Sequence, residues 1–177
     1  MADKKLKGKK IAVLATNGFE QSELEEPIKA ISEAGGEYDI ISLESGKIRG
    51  WQENDWGNEF EVDLKVSEAK PSNYSGLLLP GGVLNPDQLR KNQAAVKFVQ
   101  GFFKDGEQKP VAAICHGPWT LINAGVVKGR NMTSYDSIKV DLENAGAIWT
   151  DQEVVVDNGL VTSRNPKDIP AFNKKMI

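Results

Sequence analysis

A chain of 177 residues is expected to form one domain, residues 1–177, at roughly 150 residues per domain. It is long enough to bury a core without disulfides or a structural metal. Lysine and arginine number 22 against 25 acidic residues, a net charge of −3, which argues against binding nucleic acid by phosphate neutralisation. No apolar run nears the roughly 18 residues of a membrane-spanning helix. The start, MADKKLKGKK, lacks the apolar stretch of a secretory signal. A cytoplasmic protein with no nucleic-acid or membrane partner is expected. Lys4, Lys5, Lys7, Lys9 and Lys10 read as a solvated tail, with a polyanion-binding arm as the alternative.

In chain order, IAVLAT (11–16) has the pattern of a buried parallel strand, and Asn17-Gly18 ends it. A helix follows, with Leu24, Ile28 and Ile31 on one face and Gly35-Gly36 as its stop. Ser22-x-x-Glu25 reads as a capping box, and Pro27 predicts a kink or a later start. YDIISL (38–43) is the second strand. Residues 44–61 carry Trp51, Trp56 and Phe60 among glycines and charges, with no helical period. They predict a hairpin or surface excursion, whose tryptophans either pack on their own domain or line a pocket or interface.

GLLLP (76–80) is a third core strand and ends in Pro80-Gly81-Gly82. Asn85-Pro86 predicts a helix start with Asn85 as N-cap. Leu89, Val96, Val99 and Phe103 continue an apolar stripe that Asn92-Gln93 divides. KPVAAIC (109–115) is the fourth core strand, and 118–124 a helix stopped by Gly125. Residues 131–135 form a weaker strand, 137–144 a helix, and 154–163 a hairpin turning at Asn158-Gly159. The tail from Pro166 is helical. This alternation predicts an α/β fold with a mainly parallel sheet. Ligands of such sheets bind beyond the carboxyl ends of the strands. Three segments leave strands there: 17–20, 80–82 and 115–118.

The single cysteine excludes an internal disulfide. The single histidine is its neighbour, His116. AAICHGPW (112–119) carries an apolar strand through Cys-His-Gly-Pro into a helix, the pattern of a nucleophile elbow. The helix that follows would point its positive end at Cys115 and lower the thiol pKa. A buried, inert cysteine is the alternative. His116 is either a proton carrier near neutral pH or a loop histidine held by hydrogen bonds. Gly81 and Gly82 either supply backbone amides to an oxyanion hole together with His116 or simply make a turn. Glu20 either bonds the thiol or is a solvated first-turn glutamate.

Together these residues resemble the ThiJ/PfpI superfamily, in its PfpI-type intracellular peptidase or deglycase branch. The resemblance runs from IAVLATNGFEQSE through DWGNEFEVDL, LLLPGG, AAICHGP and GVVKGRNMTSY to EVVVDNGLVTSRNP. It implies a three-layer, flavodoxin-like sandwich of the class I glutamine-amidotransferase type. It also implies Cys115 as nucleophile, Glu20 as the acid beside the thiol, Gly82 and His116 as oxyanion amides and His116 as base. In that branch an acidic residue after Pro-Gly-Gly orients the histidine of a neighbouring subunit. Asp87 is the candidate here, although Asp stands for Glu and the loop is one residue longer. A dimer, or a hexamer of dimers, is then expected, because a monomer would lack that partner.

Two functions follow. One is thiolate attack on carbonyl carbon, either as a peptidase or amidase or as a glyoxalase or deglycase on methylglyoxal-type aldehydes and the glycated proteins they form. The other is a non-enzymatic stress protein, with Cys115 as peroxide sensor or the oligomer as a holdase. An amidotransferase triad is excluded because no histidine follows His116. No cofactor is expected, since no G-x-G-x-x-G follows a strand, and no metal site.

Overall fold

A computed structural model describes residues 4–104 and 106–177. The chain begins with β1 (Lys10–Leu14), β2 (Phe19–Glu20), α1 (Gln21–Glu33) and β3 (Glu37–Ser42). A hairpin of β4 (Lys47–Gln52) and β5 (Asp55–Glu61) precedes β6 (Leu64–Lys65) and β7 (Gly76–Leu79). Then come α2 (Leu84–Arg90), α3 (Gln93–Gln100), β8 (Val111–Ile114) and α4 (Pro118–Asn123). The last third holds β9 (Asn131–Met132), α5 (Lys139–Asn144), β10 (Ile148–Trp149), β11 (Val155–Asp157), β12 (Leu160–Ser163) and α6 (Ile169–Met176).

The main sheet has seven strands in the order β11-β12-β8-β7-β1-β3-β6. Its neighbours pair parallel except β11, which runs antiparallel to β12 at one edge. Side chains alternate between faces with a period of two. Ala12, Leu14, Leu77, Leu79, Val111 and Ala113 pack toward Leu89, Val99, Leu121 and Leu142 of α2 to α5. Val13, Ala15, Leu78, Ala112 and Ile114 pack toward Leu24 and Ile31 of α1 and toward Ile169 and Phe172 of α6. Both faces are therefore buried, which is why the core strands read as unbroken apolar runs. The sheet order changes direction at β1, with β3 on one side and β7 on the other. The loops after β1 and β7 part there, and the crevice they leave is the expected place for a site.

Four local expectations are corrected. α1 starts at Gln21 and runs through Pro27 without a late start. Proline removes the one amide that would bond the Glu23 carbonyl, and the buried apolar face outweighs that loss. The capping box does not form. Glu20 is the N-cap residue, Ser22 Oγ donates to Glu20 Oε1 at 3.3 Å, and Glu25 accepts from Gln21 Nε2 and Asn58 Nδ2. Asn85 lies inside α2 rather than capping it, for the tertiary reason given below. The helix expected from Ser137 is a 3-10 turn over 136–138 followed by α5.

The β4–β5 hairpin joins β2 in a small second sheet, which lays it beside the carboxyl end of β1. Trp51 and Trp56 face each other across it, edge to face at 5.5 Å, and stay 37% and 40% exposed. Ile48 is the side chain of this stretch that enters the core, and Phe60 packs beside it, edge-on to Phe19 at 5.5 Å.

Candidate active site

Cys115 follows the last residue of β8 with φ +62°, a left-handed backbone that a side-chain-bearing residue rarely adopts. Such a conformation costs about 1–2 kcal/mol, so the surroundings must hold it. They do so at three points. Cys115 N–H donates to Ser163 O at 3.0 Å, Tyr135 N–H donates to Cys115 O at 2.9 Å, and Gly117 N–H donates to Ile114 O at 2.9 Å. Gly117 must be glycine, because a Cβ there would lie 2.6 Å from Leu79 O and 2.9 Å from Ile114 O. Pro118 then opens α4 at its first position. The elbow read from the sequence is therefore present, and it turns Cys115 out of the strand and against the loop after β7.

That loop fits only without side chains. A Cβ on Gly81 would sit 2.6 Å from Cys115 Cβ and collide with Glu23 Oε2. Gly82 has φ +74°, and a Cβ there would run into Gly18 O and lie 2.7 Å from Glu20 N. Asn85 explains how the two loops are locked together. Its fully buried side chain accepts from Thr16 N at 2.8 Å and donates to the carbonyls of Pro80 and Gly81, both at 3.0 Å. The sequence reading missed this role because Asn-Pro is also a helix-start signal.

The two glycines are not equivalent as oxyanion donors. Gly81 N–H already donates to Glu23 Oε2 at 2.8 Å. The amides that reach the Cys115 sulfur are those of Gly82 and His116. The expected oxyanion set thus reduces to Gly82 and His116.

The structure places Glu23, not Glu20, against the thiol. Glu20 sits at the helix N-cap, partly open to solvent, with Ser22 Oγ as its partner. Glu23, one turn on, is fully buried on the inner face of α1. Its Oε1 has no hydrogen-bond partner among the described residues. Burial, then the neighbouring Glu20 charge, push the Glu23 carboxyl up to about 8, against the pull of the Gly81 amide. Glu23 therefore carries its proton at neutral pH and can donate toward the sulfur. The missed signal was a carboxyl set in an apolar stripe, one residue before Leu24 and four before Pro27.

The thiol departs from expectation as well. Burial, and next the Glu23 charge when that group ionises, push Cys115 above its usual range, against the amides of Gly82 and His116. A six-residue helix does not overcome that desolvation. Burial likewise lowers the His116 pKa, while the Asp136 charge raises it. The resting pair is a neutral thiol beside a neutral imidazole. Cys115 Sγ lies 3.2 Å from His116 Nδ1. The ring stacks on Tyr135 at 4.7 Å and meets Trp119 edge-on at 5.1 Å. Its other nitrogen, Nε2, lies 3.2 Å from Ser137 Oγ.

Asp87 is not brought to His116 within the chain. It pairs with Arg90 at 3.7 Å on the half-exposed first turn of α2. Arg90 lies 4.6 Å over the Trp119 ring, so Asp87 is three side chains from the imidazole. Among the described residues no group of three or more His, Cys, Asp or Glu side chains is placed to hold a metal ion. Nor is any helix among them long and apolar enough to cross a membrane.

A parallel α/β sandwich that lifts its cysteine on a strand-to-helix elbow defines the class of ThiJ/PfpI-like folds. Residues 9–177 match the model of the DJ-1/PfpI family, and the chain belongs to that family. It is 50% identical over 172 residues to General stress protein 18 of Bacillus subtilis (strain 168), covering 96% of each chain. It is 44% identical over 168 residues to Deglycase PfpI of Pyrococcus furiosus, covering 95% of this chain and 97% of the relative. The crystal structure of a two-domain protein with DJ-1/ThiJ/PfpI-like and ferritin-like domains from Anabaena variabilis superposes with a TM-score of 0.88 at 34% identity, over 95% of this chain and 47% of that one.

Proposed function

We propose that the protein is a cysteine-dependent enzyme acting on carbonyl carbon, with methylglyoxal-type aldehydes and their early adducts on amines as its substrate class. The observation that carries this is the pairing of a strained, buried Cys115 with His116 Nδ1 at 3.2 Å, under the amides of Gly82 and His116. The names of two relatives, Deglycase PfpI and General stress protein 18, support the same direction. A protective role in the cytoplasm against reactive aldehydes fits both.

The protonation states favour an aldehyde over an amide. Peptide hydrolysis needs a standing thiolate and expulsion of a poor leaving group. An aldehyde is already electrophilic, and a neutral thiol adds to it as its proton leaves. The sulfur bonds to the aldehyde carbon and the C=O π pair moves to oxygen. His116 Nδ1 takes the S–H proton and returns it to that oxygen, which the two amides stabilise, giving a hemithioacetal. His116, neutral again, takes the C–H hydrogen of that carbon as a proton and delivers it to the adjacent ketone carbon, while the hydroxyl proton passes to the ketone oxygen and the carbon bound to sulfur becomes the carbonyl. The product is a lactic thioester, and water cleaves it to lactate and free thiol. An adduct on an amine enters at the same hemithioacetal when sulfur displaces the nitrogen, which leaves with a proton.

The test is loss of methylglyoxal in the wild type and in Cys115→Ala. Removing the nucleophile is expected to lower turnover by about a thousandfold. Equal rates in the two proteins would remove the proposal.

A further inference from the structure

We infer that Ser137 is the positioning residue for His116, so that Cys115, His116 and Ser137 make a complete proton-handling unit within one chain. The inference concerns the site of the proposed function and deepens that reading, but its structural part stands on geometry alone.

An imidazole has two nitrogens, and both are occupied in cis. Nδ1 faces the sulfur and Nε2 faces Ser137 Oγ, each at 3.2 Å. Stacking on Tyr135 and the edge of Trp119 fix the plane of the ring, so the nitrogens cannot seek other partners without leaving both aromatics. Ser137 is itself placed by the elbow. Tyr135 N–H donates to Cys115 O at 2.9 Å, and Ile138 N–H donates to Tyr135 O at 3.2 Å with the Ile138 side chain in the core. The turn carrying Ser137 is thus tied at one end to the nucleophile and at the other to the hydrophobic interior. A carboxylate arriving from another subunit would have to displace Ser137 to reach Nε2.

A hydroxyl differs from a carboxylate in what it asks of the ring. A carboxylate only accepts, so it fixes Nε2–H and favours the imidazolium. A serine donates to a bare Nε2 or accepts from Nε2–H. To take the thiol proton at Nδ1 the neutral ring must carry its own proton on Nε2, so Ser137 Oγ accepts from Nε2–H before and after the transfer, without the negative charge that would hold the ring as imidazolium. This matches the other groups facing His116. The thiol lies on its own strand end with the buried Glu23 of α1 behind it. Asp136 on the 3-10 turn supplies the one nearby charge that favours the imidazolium. Arg90 of α2 stands beyond Trp119 and is paired with Asp87.

The chain has a single histidine, so its ring nitrogens report the arrangement without ambiguity. The experiment follows the 15N resonances of His116 against pH in the full-length protein, for the wild type, Ser137→Ala, Ser137→Thr and Asp87→Asn. Ser137 is solvent-exposed on its outer side, so its loss does not threaten the fold. Expected is that Ser137→Ala moves the Nε2 resonance and the pH at which the ring titrates, Ser137→Thr restores both, and Asp87→Asn changes neither. With methylglyoxal, Ser137→Ala should lower kcat about tenfold and leave KM within about twofold, as for a misaligned base. A silent Ser137→Ala beside a shifted Asp87→Asn would overturn the inference and give the role to a neighbouring subunit. Silence of both variants would also overturn it. If wild type and Cys115→Ala consume methylglyoxal alike while the nitrogen shifts behave as expected, the substrate reading fails and the positioning role stands.

Discussion

The two ends of the parallel sheet are built on opposite principles. At the amino end, Ile11, Leu77 and Val111 meet Leu6 and Ile177 around a cavity of about 320 Å³ whose lining is mainly apolar, with lysines at its rim. Among the described residues that line it, none has a positive φ. At the carboxyl end the chain accumulates features that folding alone would avoid. These are a left-handed cysteine, a buried glutamic acid with one unpaired oxygen, a buried histidine, and three glycines pressed against backbone or side chains. Strained backbone and buried ionisable groups each cost of order 1–3 kcal/mol and persist only where the surrounding structure over-determines them. The difference teaches that the sheet supplies the stability and its carboxyl edge spends part of it on chemistry.

The sharpest way to break this contrast is to add one methyl group. Gly81→Ala would place a carbon 2.6 Å from Cys115 Cβ and 2.8 Å from Ile114 O, besides striking Glu23. The Glu23 carboxyl end could swing aside, but Cys115 Cβ and the Ile114 carbonyl are fixed by the backbone and could not. A loss of about 4 kcal/mol is expected, the range of severe overpacking. Gly125→Ala meets no atom within 4 Å and pays only for its positive φ of 74°, about 1 kcal/mol. Urea denaturation of the two variants measures the gap. Similar midpoints would mean that the carboxyl end is looser than its geometry says.

The second test uses pH. The Glu23 carboxyl titrates near 4.5 when unfolded and about 8 when folded. Between those values the folded state binds more protons than the unfolded one, so stability falls as pH rises through the window. Below 4.5 there is no penalty, and above about 8 it is complete. At pH 7 it amounts to about 3 kcal/mol by linkage. Glu23→Gln removes the ionisation and keeps the shape. Its stability should therefore fall much less than that of the wild type from pH 5 to pH 8, by urea midpoints at each pH. Parallel curves would show that Glu23 is not the group that titrates.

How much of this was legible in the sequence depended on whether local pattern or tertiary contact decides. The core strands, the elbow at Cys115 and the close approach of Pro80-Gly81-Gly82 follow from apolar runs and glycines, which are local signals. The phase of α1 does not. Glu20 stood out because it follows the first strand at the carboxyl edge, while little in the local pattern set Glu23 apart from the other glutamates of the helix. A helix beginning at Gln21 rotates Glu23 inward instead. Asn85 looked like a cap because its local sequence matches one, while its bonds to residues near 16 and 80 are set by the sheet order. Ser137 carries no sequence signal at all, since it meets His116 from 21 positions downstream through a turn fixed by Cys115 O.

The smallest effect separates the two glutamates directly. Above pH 8 the Glu23 carboxylate is ionised and opposes the thiolate next to it. At pH 9, alkylation of Cys115 by iodoacetamide should therefore be several-fold faster in Glu23→Gln than in the wild type. Glu20 lies a helical turn away, is partly solvated, and acts on sulfur only through Glu23. Its replacement by Gln should change the rate by less than about twofold, as for a screened charge. Because Cys115 is the only thiol, the measurement has no background from other residues. A larger change in Glu20→Gln than in Glu23→Gln would return the acid's role to Glu20 and require α1 to begin in a different phase.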